Sequence, residues 1–160
     1  MRTPALLPLA LLVLIGCHPK PTYLEAHGQF GDGTPIDYYQ EGATLYVGAD
    51  PQTGGPIAVV RSVDTSGPPF MGMVIQVDLG TVTTPGQYAC DKSGGAAQIR
   101  VLVPGPDALD TVEYTATGTL DILELPIEGN DRFAGSFSGV RVDYDGQDIT
   151  VEQGTFRGQL

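Results

Sequence analysis

The chain has 160 residues, with 22 glycines, 13 prolines and no tryptophan, and its 19 acidic against 8 basic side chains give a net charge of −11. That length suits one domain with room for a real core. Acids scattered along the chain describe a self-repelling surface, and they argue against nucleic acid or an anionic membrane surface as partner, since either demands a basic patch.

The first element is the run Ala5–Ile15, apolar and preceded by the single charge of Arg2. A membrane span needs about 18 or more apolar residues, and this run is shorter and follows Pro4 and contains Pro8. A charged start, a short apolar middle and a small residue before a cut are the parts of a secretory signal. Leu14-Ile15-Gly16-Cys17 resembles the lipobox of bacterial lipoproteins, in which a peptidase cuts before an invariant cysteine that carries the lipid. The resemblance implies that residues 1–16 are removed and that Cys17 becomes the lipid attachment site, with acyl chains on its sulfur and its amine. One chain holds weakly and two or more hold stably, at roughly 0.8 kcal/mol per buried methylene. In such lipoproteins an Asp after the cysteine signals inner-membrane retention; His18 stands there instead and favours the outer membrane. The membrane is then a partner through the N-terminal lipid only. Without residues 1–16 the chain keeps 144 residues, 19 acids and 7 bases, a net charge near −12.

Residues 17–22 read as a lipid-anchored, Pro-rich tether, and residues 23–160 as the folded domain. Beyond the tether the pattern is alternation interrupted by turns. Met71, Met73, Ile75, Val77 and Leu79 occupy alternate positions, as do Ala97, Ile99, Val101 and Val103. A period of two marks strands with one buried face. Leu45–Val47, Ile57–Val63, Val112–Ala116 and Leu120–Leu125 predict further strands, separated by glycine and proline clusters such as Gly54-Gly55-Pro56 and Pro104-Gly105-Pro106. No stretch carries apolar residues at helical spacing. The expectation is an all-β domain of about nine to eleven short strands, a single antiparallel β-sandwich, with a closed β-barrel as the alternative.

Near the C-terminus, Asp145-Gly146 is a two-residue hairpin signal. It predicts Val142 opposite Ile149, Val140 opposite Val151, and Asp143 opposite Asp148. Phe133 and Phe137 are odd-numbered whereas Val140 and Val142 are even, and Ile149 and Val151 are odd whereas Phe156 is even. Burying them all requires each strand to slip by one residue, near Gly139 and near Gly154, which bends the hairpin as a bulge does. Each of Phe137 and Phe156 has glycines two residues away, leaving room for its ring across the backbone. The series Pro85-Gly86-Gln87-Tyr88, Thr117-Gly118-Thr119-Leu120-Asp121-Ile122, Gly135-Ser136-Phe137-Ser138-Gly139 and Gly154-Thr155-Phe156-Arg157-Gly158 resembles a group of bacterial lipoproteins of unknown function. That likeness implies an extracytoplasmic β-sandwich and carries no activity. Some members pair the cysteine after the PGxY turn with a second one; here Cys90 has none.

Candidate chemistry is sparse. With Cys17 acylated, Cys90 is the last thiol, expected to be buried as a small hydrophobe, with an exposed thiol joining two chains or acting as a nucleophile as the alternatives. GSFSG has Phe137 where a nucleophile elbow needs serine. A Ser-His-Asp or Cys-His set would depend on His27, which reads more simply as a partly exposed residue of the first strand. Asp143, Asp145 and Asp148 with Glu152 have the look of a calcium loop, but alignment on Gly146 puts Arg141 at the first ligand position, and a hairpin explains the same residues. No metal ligand, cofactor or catalytic residue is assigned. Tyr38, Tyr39, Tyr46 and Tyr88 offer aromatic surface, although strand filling accounts for them. The reading is a lipid-anchored envelope protein, a non-catalytic binding or structural module with a protein or glycan partner, whose site lies on loops 50–56, 64–70 or 104–110. A hydrolase acting on envelope polysaccharide through paired carboxylates is the alternative.

Overall fold

The computed structural model describes residues 21–64, 70–105, 110–127, 129–144 and 146–160. Cys17, Asp145 and most of the candidate loops 64–70 and 104–110 lie outside them. The described residues form ten strands and no helix: β1 (Tyr23–Phe30), β2 (Pro35–Glu41), β3 (Thr44–Ala49), β4 (Pro56–Val63), β5 (Gly72–Asp78), β6 (Gly86–Cys90), β7 (Ala97–Pro104), β8 (Thr111–Glu124), β9 (Arg132–Tyr144) and β10 (Gln147–Gln159). The all-β, antiparallel expectation holds. One continuous sheet, in the order β2-β1-β10-β9-β8-β7-β5-β4-β3, curls into a half-barrel. Its end strands, β2 and β3, follow each other in sequence, yet no ladder joins them among the described residues. The sheet buries its core by folding over on itself.

The two strand regions expected at Val112–Ala116 and Leu120–Leu125 merge into the 14-residue β8. Its first half pairs with β7 and its second half with β6, so Gly118 marks a change of neighbour along one edge. The sequence reads as two strands because Thr117-Gly118-Thr119 interrupts the apolar pattern between them.

The C-terminal hairpin follows its turn. Val142 pairs with Ile149, Val140 with Val151 and Asp143 with Asp148. Gly146 has φ of 75°, the left-handed conformation such a turn requires. The parity slips are present too. Ser138 and Gly139 are consecutive exposed residues on β9, as are Glu152 and Gln153 on β10. Because both strands slip together, the β9–β10 register is unbroken; the shift appears instead against β8, between Thr117 and Thr119, and against β1, between His27 and Gly28. The β10 slip thus precedes Gly154, which faces inward.

Glycine and ring meet across the ladder rather than along one strand. Phe156 pairs with Gly135 and Gly154 with Phe137. A Cβ on Gly154 would collide with the Phe137 ring and the Glu25 carbonyl, and one on Gly135 would reach the Phe156 ring at 3.0 Å and collide with the Asp121 carbonyl. Gly139, past the slip, is exposed and leaves Phe137's face. Phe133 and Phe156 pack edge-on at 4.9 Å between centroids.

Across the core, Met73, Ile75 and Val77 of β5 point inward with Ile99 and Val101 of β7, as the alternation predicts. Met71 departs from it and joins Val74 and Leu102 in a small second cluster. The hydroxyl of Tyr38 on β2 sits 2.7 Å from that of Ser62 on β4, a buried link between sheet halves. At the curl's seam, a Cβ on Gly158 would lie 2.8 Å from Leu45 and from Val60.

Candidate functional site

On β4, Ala58, Val60 and Ser62 face the core, which leaves Ile57, Val59, Arg61 and Val63 on the convex face. Pairing extends that face in rows. Tyr46, Val59, Gln76 and Gln98 lie side by side on β3, β4, β5 and β7, and Thr44, Arg61, Val74, Arg100 and Thr115 form the adjacent row. The β3–β4 turn rises beside them as a wall. Asp50 holds it: Oδ1 accepts from Gln52 N at 2.7 Å, its N–H donates to Gly55 O at 2.7 Å, and its carbonyl accepts from Gly54 N at 2.8 Å. Gly54, at φ 75°, takes the left-handed position. Ile57 is 5% exposed although it lies on the convex side, as expected beneath this turn. Floor and wall enclose a groove of about 600 Å³, within the size range of small-ligand sites.

The polar groups of the groove are organised. Arg61 Nη1 lies 3.1 Å from Glu113 Oε1, and Arg100 Nε lies 3.3 Å from Glu113 Oε2. Arg100 Nη2 donates to Gln76 Oε1 at 2.8 Å. The approach of Arg100 Nε to Glu113 is close enough for charge attraction but off the line of a hydrogen bond. That N–H is buried with no hydrogen-bond acceptor among the described residues, an arrangement that costs energy until something accepts it. Tyr46 is 48% exposed. Its ring covers Gly48, where a Cβ would collide with it, and its hydroxyl donates to Ala49 O at 3.1 Å. Both carboxylates of the groove are engaged, Glu113 by two arginines and Asp50 by its own turn.

A smaller hollow of about 420 Å³ lies over β1, β9 and β10, lined by Glu25, His27, Ser136, Ser138 and Gln153 among others. His27 sits mid-strand and partly exposed. Its Nε2 is 2.9 Å from Glu25 and its Nδ1 2.9 Å from Asp37. The hydrogen bond to Glu25, opposed by desolvation but helped by the charges of Glu25 and Asp37 and the hydrogen bond to Asp37, raises its pKa above the ordinary histidine value. With a carboxylate on each ring nitrogen, neither nitrogen is free to take a proton from serine.

Cys90 is 4% exposed, so the alternative of an exposed bridging thiol is not met in this fold. Burial, with Asp91 adding to it, pushes its pKa up to about 11 and keeps the thiol protonated and inert. Asp143 and Asp148 are hairpin partners, and Asp145 lies outside the described residues. Among the described residues no three metal-ligating side chains gather. Of the four tyrosines singled out by sequence, Tyr38 faces the core, Tyr39 stacks on Tyr23, Tyr88 binds the Thr84 carbonyl, and Tyr46 alone reaches the groove.

The candidate loop 50–56 borders the groove, whereas Arg61, Gln76, Arg100 and Glu113 carry no mark in the sequence. Strand parity places Arg61 and Arg100 outward, but their meeting depends on β5 and β7 being neighbours with β6 set aside, which pattern alone does not reveal. No protein-family model, curated protein or solved structure matches the chain.

Proposed function

We propose that the protein is a lipid-anchored, non-catalytic binding module of the bacterial cell envelope, tethered through Cys17 to the outer membrane and taking its ligand in the convex groove of β3–β8. The observation that carries this reading is the groove itself: donors and acceptors preset on a rigid sheet, with both carboxylates of its described lining, Glu113 and Asp50, already engaged. Rigid strands are suited to holding such a constellation. The hydrolase alternative needs a carboxylate pair free to act on either side of a glycosidic bond, and Glu113 and Asp50 are both occupied.

Hydrogen exchange of the full-length protein, with and without soluble envelope extract, tests the groove. Protection concentrated in residues 44–61 and 98–104 is expected, with no hydrolysis products in the extract. Unchanged exchange there, or turnover of extract glycans, refutes the reading. The anchor is tested by Cys17→Ala, which is expected to release the protein from membranes and change its mass by the lipid.

A further inference from the structure

The groove's chemistry also selects a class of ligand, an inference that rests on the binding-module reading above. We infer that it binds a neutral saccharide, a short stretch of pyranose chain lying across the strands. The row Tyr46–Val59–Gln76–Gln98 crosses four strands, three spacings of about 4.8 Å each, which is the length of a short oligosaccharide.

Two features fit sugar better than other ligands. Tyr46 is a fixed aromatic surface, pinned over Gly48 and tied to Ala49, and the C–H face of a pyranose packs on such a ring. Gln76, Gln98 and Arg100 present planar amide and guanidinium groups, the geometry that reads adjacent hydroxyls, each of which donates and accepts.

Charge separates neutral from acidic glycans. Arg61 and Arg100 are offset within the groove by Glu113 and Asp50, so an anion would have to displace Glu113 and leave it unpaired, at a cost. A fully apolar ligand would strand the polar floor.

The test is calorimetric titration of the full-length protein, held in a detergent without a sugar headgroup, with maltotriose, cellotriose, chitotriose and trigalacturonate. At least one neutral trisaccharide is expected to bind at micromolar to millimolar concentration. Tyr46→Ala should then weaken it by roughly fivefold or more, and Gln98→Ala, on a different strand, should weaken it too. Tyr39→Ala, on an exposed ring outside the groove, should leave binding unchanged, and circular dichroism checks that each variant is folded. The inference is overturned if no neutral trisaccharide binds, if only trigalacturonate binds, or if Tyr46→Ala and Gln98→Ala both bind as the parent does. Groove protection by envelope extract without trisaccharide binding would sink the saccharide and leave the binding module standing; loss of both would sink both.

Discussion

Gly154→Ala is the sharpest probe of the hairpin bend. Gly154 pairs with Phe137 on β9 and with Ala26 on β1. A methyl group there meets the Phe137 ring on one side and the Glu25 carbonyl on the other. The ring can turn a little, but the carbonyl belongs to a ladder and cannot. Overpacking of this kind costs about 1–3 kcal/mol, and a backbone obstacle places Gly154→Ala near the upper figure. For a domain of this size that lowers the melting temperature by roughly 6–12 °C. Gly146→Ala is the control, because nothing lies within 4 Å of its added methyl and only its φ of 75° resists; about 1 kcal/mol is expected. Phe137→Leu in the Gly154→Ala background should recover part of the loss, since the ring is removed and the carbonyl remains. Urea denaturation of the four proteins, with Phe137→Leu alone closing the cycle, measures the coupling. If Gly154→Ala costs no more than Gly146→Ala, or if no coupling to Phe137 appears, the ring-over-glycine account is refuted.

Three other predictions follow from single contacts. Tyr38→Phe leaves the buried Ser62 hydroxyl without its partner and should cost about 1–3 kcal/mol, of which Ser62→Ala in the same chain returns a part; denaturant midpoints decide. Cys90, buried with its pKa pushed up to about 11, should resist a thiol reagent at pH 8 until the protein is unfolded, and rapid labelling of the native form would contradict its burial. His27 should titrate by NMR above its usual pKa. Its raised folded-state value means that its contribution to stability is complete below the unfolded pKa near 6.5 and is lost as pH rises through the folded value. Glu25→Gln should bring the titration back down, and an unchanged midpoint would refute the pairing.

Where a residue's environment is decided by its own strand and nearest turn, the sequence is a sufficient guide. Asp145-Gly146 determines who faces whom across the final hairpin, and the parity of Phe137 against Val140 by itself requires a slip. Environments set by strand order are not legible in this way. The rings of Phe137 and Phe156 rest on each other's strand because β9 and β10 cross-pair glycine with phenylalanine, not because of glycines along their own strands. Arg61 and Arg100 converge on Glu113 only because β6 leaves the order and lets β5 adjoin β7. The groove, being a product of that order, is the part that alternation could not foretell, though the adjoining turn at 50–56 announces itself in glycine and proline.

The ladder between β1 and β10 pairs Tyr23 with Arg157, almost the full span of the domain. A chain made or threaded N-terminus first therefore presents β1 with one side empty until the last strand arrives. Early residues have only β2 to hold them, while β8, β9 and β10 are successive neighbours able to join as they emerge. β1 is therefore the strand whose second neighbour is made last. Such late, distant closure slows folding. Loss of the final half of β10 would strip residues 23–27 of their partners on that side, while Gly28, Gln29 and Phe30 would keep theirs in the first half.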